Sequence, residues 1–205
     1  FDASRVVGIG IDSTGSTPLP IGADGAPLAM HQEFAGDPNA MAWLWKDHTS
    51  HAEAAEITAL AQNMGLPYLG KCGGTYSSEW YWAKVLRCER TAPRVAQAAA
   101  TWVECCDFVP AWITGTREPF SIMRGVCAAG HKAMYCSDWG GAPSDAFLDA
   151  LSPGLSRFAR AYARPAVTSD ARVGGLLREY ASMLGLREGI AVAAGAFDAH
   201  MGAVG

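Results

Sequence analysis

Val6-Val7-Gly8-Ile9-Gly10-Ile11 is an apolar, largely β-branched run, and it passes directly into Asp12-Ser13-Thr14-Gly15-Ser16-Thr17. A strand without polar alternation is expected to be covered on both faces, as at the centre of an α/β sheet. The polar loop then sits at the carboxyl end of that strand. A similar pair closes the chain: Ile190-Ala191-Val192-Ala193-Ala194-Gly195 reads as a second buried strand, followed by Ala196-Phe197-Asp198-Ala199-His200. Helices are predicted between them over residues 50–64, 78–88, 105–113, 143–151 and 175–184, with a short one opened by Thr91 and Pro93. In the first, Ser50 and Glu53 fit a capping box, and Gly65 and Pro67 stop the helix. Leu19-Pro20-Ile21 and Pro27-Leu28-Ala29 flank Gly22-Ala23-Asp24-Gly25, a hairpin signal. Strands and helices mix without strict alternation, so the fold class is α/β with some antiparallel pairing.

The chain has 205 residues, half of them hydrophobic, enough for one domain or slightly more. Its net charge of −4 and the lack of any Lys/Arg run argue against a nucleic-acid partner. No apolar stretch approaches the ~20 residues of a membrane span, and the first residues do not read as a signal peptide. Both ends run close to interior strands, so the chain reads as an internal piece of a longer protein. The cysteines at 72, 88, 105, 106, 127 and 136 form no C-x-x-C and have no histidine at zinc-site spacing. They read as free thiols in a reducing cytoplasm, with no metal site.

Several segments carry polar groups that chemistry could use. The 12–17 loop could cradle an anion, face a substrate, or be a plain strand-to-loop turn. Gly8-x-Gly10 lacks the third glycine of a dinucleotide fingerprint. Trp43-Leu44-Trp45-Lys46-Asp47-His48 mixes aromatic faces with charge, the combination that sugars favour, although core tryptophans beside a solvated cluster would look the same. Glu79 opens an aromatic-rich helix and could simply complement its dipole. Lys132 lies in a run of small residues, where it is either exposed or partly buried against a partner. Asp198 follows a buried strand, the usual ligand position at the carboxyl edge of an α/β sheet. A lone carboxylate there suits deprotonation of a hydroxyl attacking a phosphoryl group; the plain alternative is a helix N-cap.

Taken in order, five segments resemble the FGGY carbohydrate kinases, and within them the L-ribulokinase branch. They are Val7 to Pro18, Leu44 to Thr49, Gly73 to Trp80, Cys127 to Met134 and Gly195 to His200. Arg87 departs from the general family pattern, which has Trp there. The resemblance implies a ribonuclease-H-like (actin-like ATPase) α/β domain with an incomplete mixed sheet and flanking helices. Residues 1–205 would form part of the N-terminal sugar-binding domain, with the phosphate-binding hairpin upstream and the ATP domain downstream. It implies Asp198 as catalytic base, and Gly15, Ser16, Trp45, Asp47, His48, Glu79 and Lys132 as substrate-binding residues. The implied reaction of the parent enzyme is ATP- and Mg2+-dependent phosphorylation of L-ribulose at the C5 hydroxyl, in arabinose catabolism, with the piece alone inactive. A kinase for D-ribulose or xylulose, or a sugar-binding module without catalysis, are the alternatives. Missing strands would leave open edges, so self-association into a homo-oligomer is expected.

Overall fold

The computed structural model describes residues 2–205. Chain order gives β1 (Gly8–Ile9), β2 (Asp12–Ser13), β3 (Pro18–Ile21), α1 (His51–Asn63), α2 (Tyr81–Thr91), α3 (Pro93–Ala98), β4 (Thr101–Glu104) and α4 (Cys105–Ile113). Then follow α5 (Val126–Ala133), α6 (Asp145–Leu151), β5 (Arg172–Gly175), α7 (Arg178–Leu184), β6 (Ala191–Ala193), β7 (Ala196–Phe197) and α8 (Asp198–Val204). Strands and helices therefore mix as an α/β chain.

Pairing is mixed. β1 runs parallel to β6, and β5 joins β6 antiparallel. β2 runs parallel to β7, pairing Asp12 with Ala196 and Ser13 with Phe197. The Ala196 amide donates to the Ile11 carbonyl, so the two parallel pairs form one interrupted ribbon. β3 pairs antiparallel with β4. Pro18 and Pro20 cannot donate to a second ladder, so β3 takes a single strand partner.

The largest core lies under α1, α2, α3, α5 and α6, where Ile57, Trp82, Leu86, Phe147 and Phe158 are fully buried. A small cluster of Cys106, Ala128 and Phe197 ties α4 and α5 to β7.

Three expectations need correction. The run 6–11 is not covered on both faces: β1 pairs only with β6, and Val7 is 79 % exposed. Burial of a strand is set by what packs on it, which local sequence does not contain. The 22–25 turn forms, with Gly25 at φ +76°, but the hairpin closes through a single bridge between Ile21 and Pro27. Its second arm turns into a 3-10 segment at Leu28–Met30, and β3 finds its partner in β4 instead. The capping box at Ser50 and Glu53 is not made. Ser50 makes no cap hydrogen bond, and buried Glu53 faces Arg87 and Arg90, each 3.9 Å away.

Candidate active site

The parallel pair β2 and β7 ends with both carboxyl termini on one side, so the 14–17 loop and Asp198 meet there. Between them opens a cavity of about 390 Å3, lined by Thr14, Gly15, Ser16, Trp45, Glu79, His131, Lys132, Phe197, Asp198 and His200, among others. This is the crevice position at which α/β sheets hold ligands.

Each segment reaches the cavity for a local reason. Gly15 lets the loop pass over the Phe197 ring; a Cβ there would lie 3.1 Å from the ring edge. Ser16 takes φ +56°, a left-handed conformation costing a non-glycine residue about 1–2 kcal/mol. Its hydroxyl accepts from Lys132 Nζ at 2.5 Å, and its carbonyl from Lys84 Nζ at 2.6 Å. The next amide, Thr17 N–H, donates to Glu104 Oε2 at 2.7 Å. Asp198 is exposed at the first turn of α8, where the helix dipole favours a carboxylate, and Oδ1 accepts from the Ala199 amide.

Lys132 stands at the end of α5, which departs from helical geometry at Gly130 (φ −36°, ψ −121°) and ends on left-handed Met134. Four consecutive carbonyls lose their helical partners there, and side-chain donors supply them. Cys72 Sγ donates to the His131 carbonyl, Tyr76 Oη to Lys132, Trp82 Nε1 to Ala133 and Trp139 Nε1 to Met134. The ammonium then projects 5.1 Å from the Phe197 ring centre and 6.0 Å from that of Trp80. Burial holds the Lys132 ammonium below the ordinary lysine range, against the pull of Glu104, Glu79 and Asp198. Burial also lowers His131, helped by the charges of Lys132 and His200.

Of the residues expected from sequence, the structure brings together Gly15, Ser16, Trp45, Glu79, Lys132 and Asp198. Asp47 and His48 do not line this cavity. Asp47 Oδ1 accepts from both the Thr49 amide and the Thr49 hydroxyl, closing a turn just before α1. Burial opposes its ionisation, but the Thr49 bonds and the charges of Lys84 and Arg87 outweigh it and hold the carboxyl below its usual range. Asp47 instead lines a neighbouring cleft with Arg87 and Thr91. His48 is exposed; Nδ1 lies 3.2 Å from Ser78 Oγ and Nε2 3.5 Å from Glu79 Oε1. It therefore reaches the cavity only through Glu79. Thr14, His131, Phe197 and His200 join the lining without having been singled out. Two of the three histidines and aromatics added flank residues that were: His131 beside Lys132, and Phe197 beside Asp198.

No protein-family model matches the chain. Over 204 residues, 99 % of its length, it is homologous at 50 % identity to a ribulokinase of Vibrio parahaemolyticus, covering 36 % of that protein. A ribulokinase of Shouchella clausii is 40 % identical over 202 residues, 98 % of this chain and 35 % of that protein. The chain thus spans about a third of the length of these curated relatives. Among solved structures, a xylulose kinase from Rhodospirillum rubrum superposes with TM-score 0.73 at 22 % identity, covering 97 % of this chain and 36 % of the other. A gluconate kinase from Lactobacillus acidophilus superposes with TM-score 0.65 at 16 % identity, over 98 % and 36 % respectively. The fold is that of FGGY sugar kinases, α/β and actin-like, with a small incomplete sheet.

Proposed function

We propose that this chain is part of the N-terminal sugar-binding domain of an FGGY carbohydrate kinase, and that the whole enzyme phosphorylates L-ribulose at its C5 hydroxyl. The observation that carries this reading is the convergence of Asp198, Lys132 and Ser16 on one crevice at the ends of parallel strands. Homology to ribulokinases over the whole chain supports the substrate class.

In this reading the sugar lies against Trp45, whose exposed ring offers an apolar face to C–H groups, while buried Phe197 backs the Gly15 loop and Lys132 from beneath. Lys132 and Glu79 bond its oxygens, and Ser16 holds the lysine in place. Asp198 takes the proton of the attacking hydroxyl as that oxygen bonds to the γ-phosphorus of ATP, and ADP leaves. The described residues do not make a metal cage: no group of three or more His, Cys, Asp or Glu side chains is placed to hold an ion. In this reading ATP and Mg2+ bind largely in the remainder of the enzyme, and this chain alone is expected to be inactive. Xylulose is the second reading, supported by the structural likeness to xylulose kinases. No described helix is long and apolar enough to cross a membrane; a cytoplasmic location and self-association through open strand edges complete the proposal.

The test is ADP release by the full-length protein with L-ribulose, D-ribulose, D-xylulose and glycerol, beside Asp198→Asn. Turnover with L-ribulose that the variant loses by about 10²-fold or more supports the reading. Turnover confined to another sugar replaces the substrate, and binding without turnover replaces the kinase with a sugar-binding module.

A further inference from the structure

Beneath the cavity lies a cation that the mechanism above does not use. Lys84 is on α2, and its side chain has no exposed surface. No carboxylate lies within ion-pair distance of it among the described residues. Its ammonium instead donates to three main-chain carbonyls: Ser16 at 2.6 Å, Leu44 at 2.7 Å and Trp43 at 3.4 Å. These carbonyls belong to the two segments that deliver Ser16 and Trp45 to the cavity; the Trp43 amide, donating to the Pro18 carbonyl at 2.9 Å, also joins these two segments, but farther from Ser16 and Trp45.

We infer that Lys84 is a positioning residue for sugar binding, fixing the Ser16 loop and the Trp45 segment at one spacing. The inference rests on the kinase reading for its substrate. Its geometry does not: a strained, left-handed Ser16 persists only where its surroundings over-determine it. Lys84 at its carbonyl, Lys132 at its hydroxyl and Glu104 at the following amide supply that determination. A buried ammonium is costly, and burial lowers this one to about 8. Glu104, Asp47 and Glu79 draw its affinity for the proton upward, and Lys132 opposes them. A cation held at that cost and spent wholly on main-chain oxygens is suited to setting backbone geometry.

The test uses the full-length protein with Lys84→Met, which keeps the length and removes the donors, and Lys84→Gln, which keeps two. Sugar KM, ATP KM, kcat and sugar affinity by calorimetry are measured, with thermal unfolding alongside. Lys84→Met should raise sugar KM and Kd by about tenfold or more, the value of a charged hydrogen bond, and leave ATP KM within about twofold. Lys84→Gln should recover part of that loss. In a Trp45→Ala background, Lys84→Met should cost less than in the wild type, because part of what it positions is gone. A folded Lys84→Met with unchanged sugar KM and Kd overturns the inference, as does a loss confined to Tm and kcat. If Lys84→Met does not fold, Lys84→Gln decides, alone and in the Trp45→Ala background: unchanged sugar KM and Kd overturn the inference. Wild-type protein with no turnover on any sugar overturns the kinase reading instead, and leaves calorimetry of sugar binding to judge Lys84.

Discussion

Stability should fall as pH rises through neutrality, and Glu104 should account for a large part of the fall. Glu104 is 1 % exposed at the end of β4. One carboxylate oxygen accepts from Thr17 N–H, and the other, buried, has no partner. Burial raises the carboxyl from 4.5 to about 7, against the Thr17 bond and the pull of Lys84 and Lys132, and with the push of Asp107. The folded state thus binds the proton more tightly than the unfolded chain. The contribution to stability is full below about pH 4.5 and is lost as pH rises through about 7. Between pH 5.5 and 7.5 the loss works out to about 2 kcal/mol, or about 4–8 °C in Tm for a chain of this size. Asp107, raised by burial to about 7 against the nearby Arg124, has the same sign. His131 has the opposite sign, since burial lowers it. The quantity to compare is therefore the difference between wild type and Glu104→Gln. Thermal unfolding at pH 5.5, 6.5 and 7.5 at constant ionic strength measures it. Glu104→Gln should flatten the slope by most of that 4–8 °C. An unchanged slope in the variant, or a wild-type Tm that rises across the window by the same amount in both proteins, refutes the reasoning.

Two further perturbations test the frame of the cavity. Gly195 sits between β6 and β7, and a Cβ there would fall 1.8 Å from the Cys106 carbonyl oxygen. Gly195→Ala must displace backbone at the root of Asp198; a loss of about 3 kcal/mol or more and loss of sugar binding are expected, read by denaturant unfolding and calorimetry. Tyr76 Oη donates to the Lys132 carbonyl and accepts from the Trp82 amide at 3.0 Å. Tyr76→Phe leaves both buried groups without a partner, so a loss of about 1–3 kcal/mol is expected in the same measurement.

The helices were largely legible, and the reasons differ from case to case. α4 was expected at 105–113 and is found at Cys105–Ile113. α1 was bounded by Gly65, whose φ of +64° is the conformation glycine favours. β4 is hard to read from sequence because Thr101-Trp102-Val103-Glu104 is short and runs directly into α4. The cavity was less legible than the helices. The resemblance grouped Asp47 with Trp45; what local sequence also offers is a turn, since a carboxylate two residues before a threonine tends to close one, and Asp47 does so outside the cavity lining. Lys84 carries a signal in the sequence, since it stands between Trp82 and Val85 on an otherwise apolar face. A lysine in that place must be fully desolvated or the face is not a core face. Which carbonyls it would meet depends on segments 68 and 40 residues away, which no local pattern contains.

The places where local rules fail coincide with the cavity. Among the described residues, the only non-glycine positions with positive φ are Ser16 and Met134, and the irregular helix interior is at Gly130. All lie on the two segments that present Ser16 and Lys132. Left alone, these segments would expose carbonyls and amides that no helix or strand satisfies, at a cost of about 1–3 kcal/mol for each buried group. Lys84, Glu104, Tyr76, Trp82 and Trp139 supply the missing partners from the interior. These five side chains therefore answer to the irregular backbone, and the irregular backbone answers to where Ser16 and Lys132 stand. On this account, apolar replacements of the interior polar residues would spare the helices and disturb chiefly the distance between the 14–17 loop and the end of α5. The two are joined directly by the hydrogen bond from Lys132 Nζ to Ser16 Oγ, 2.5 Å long.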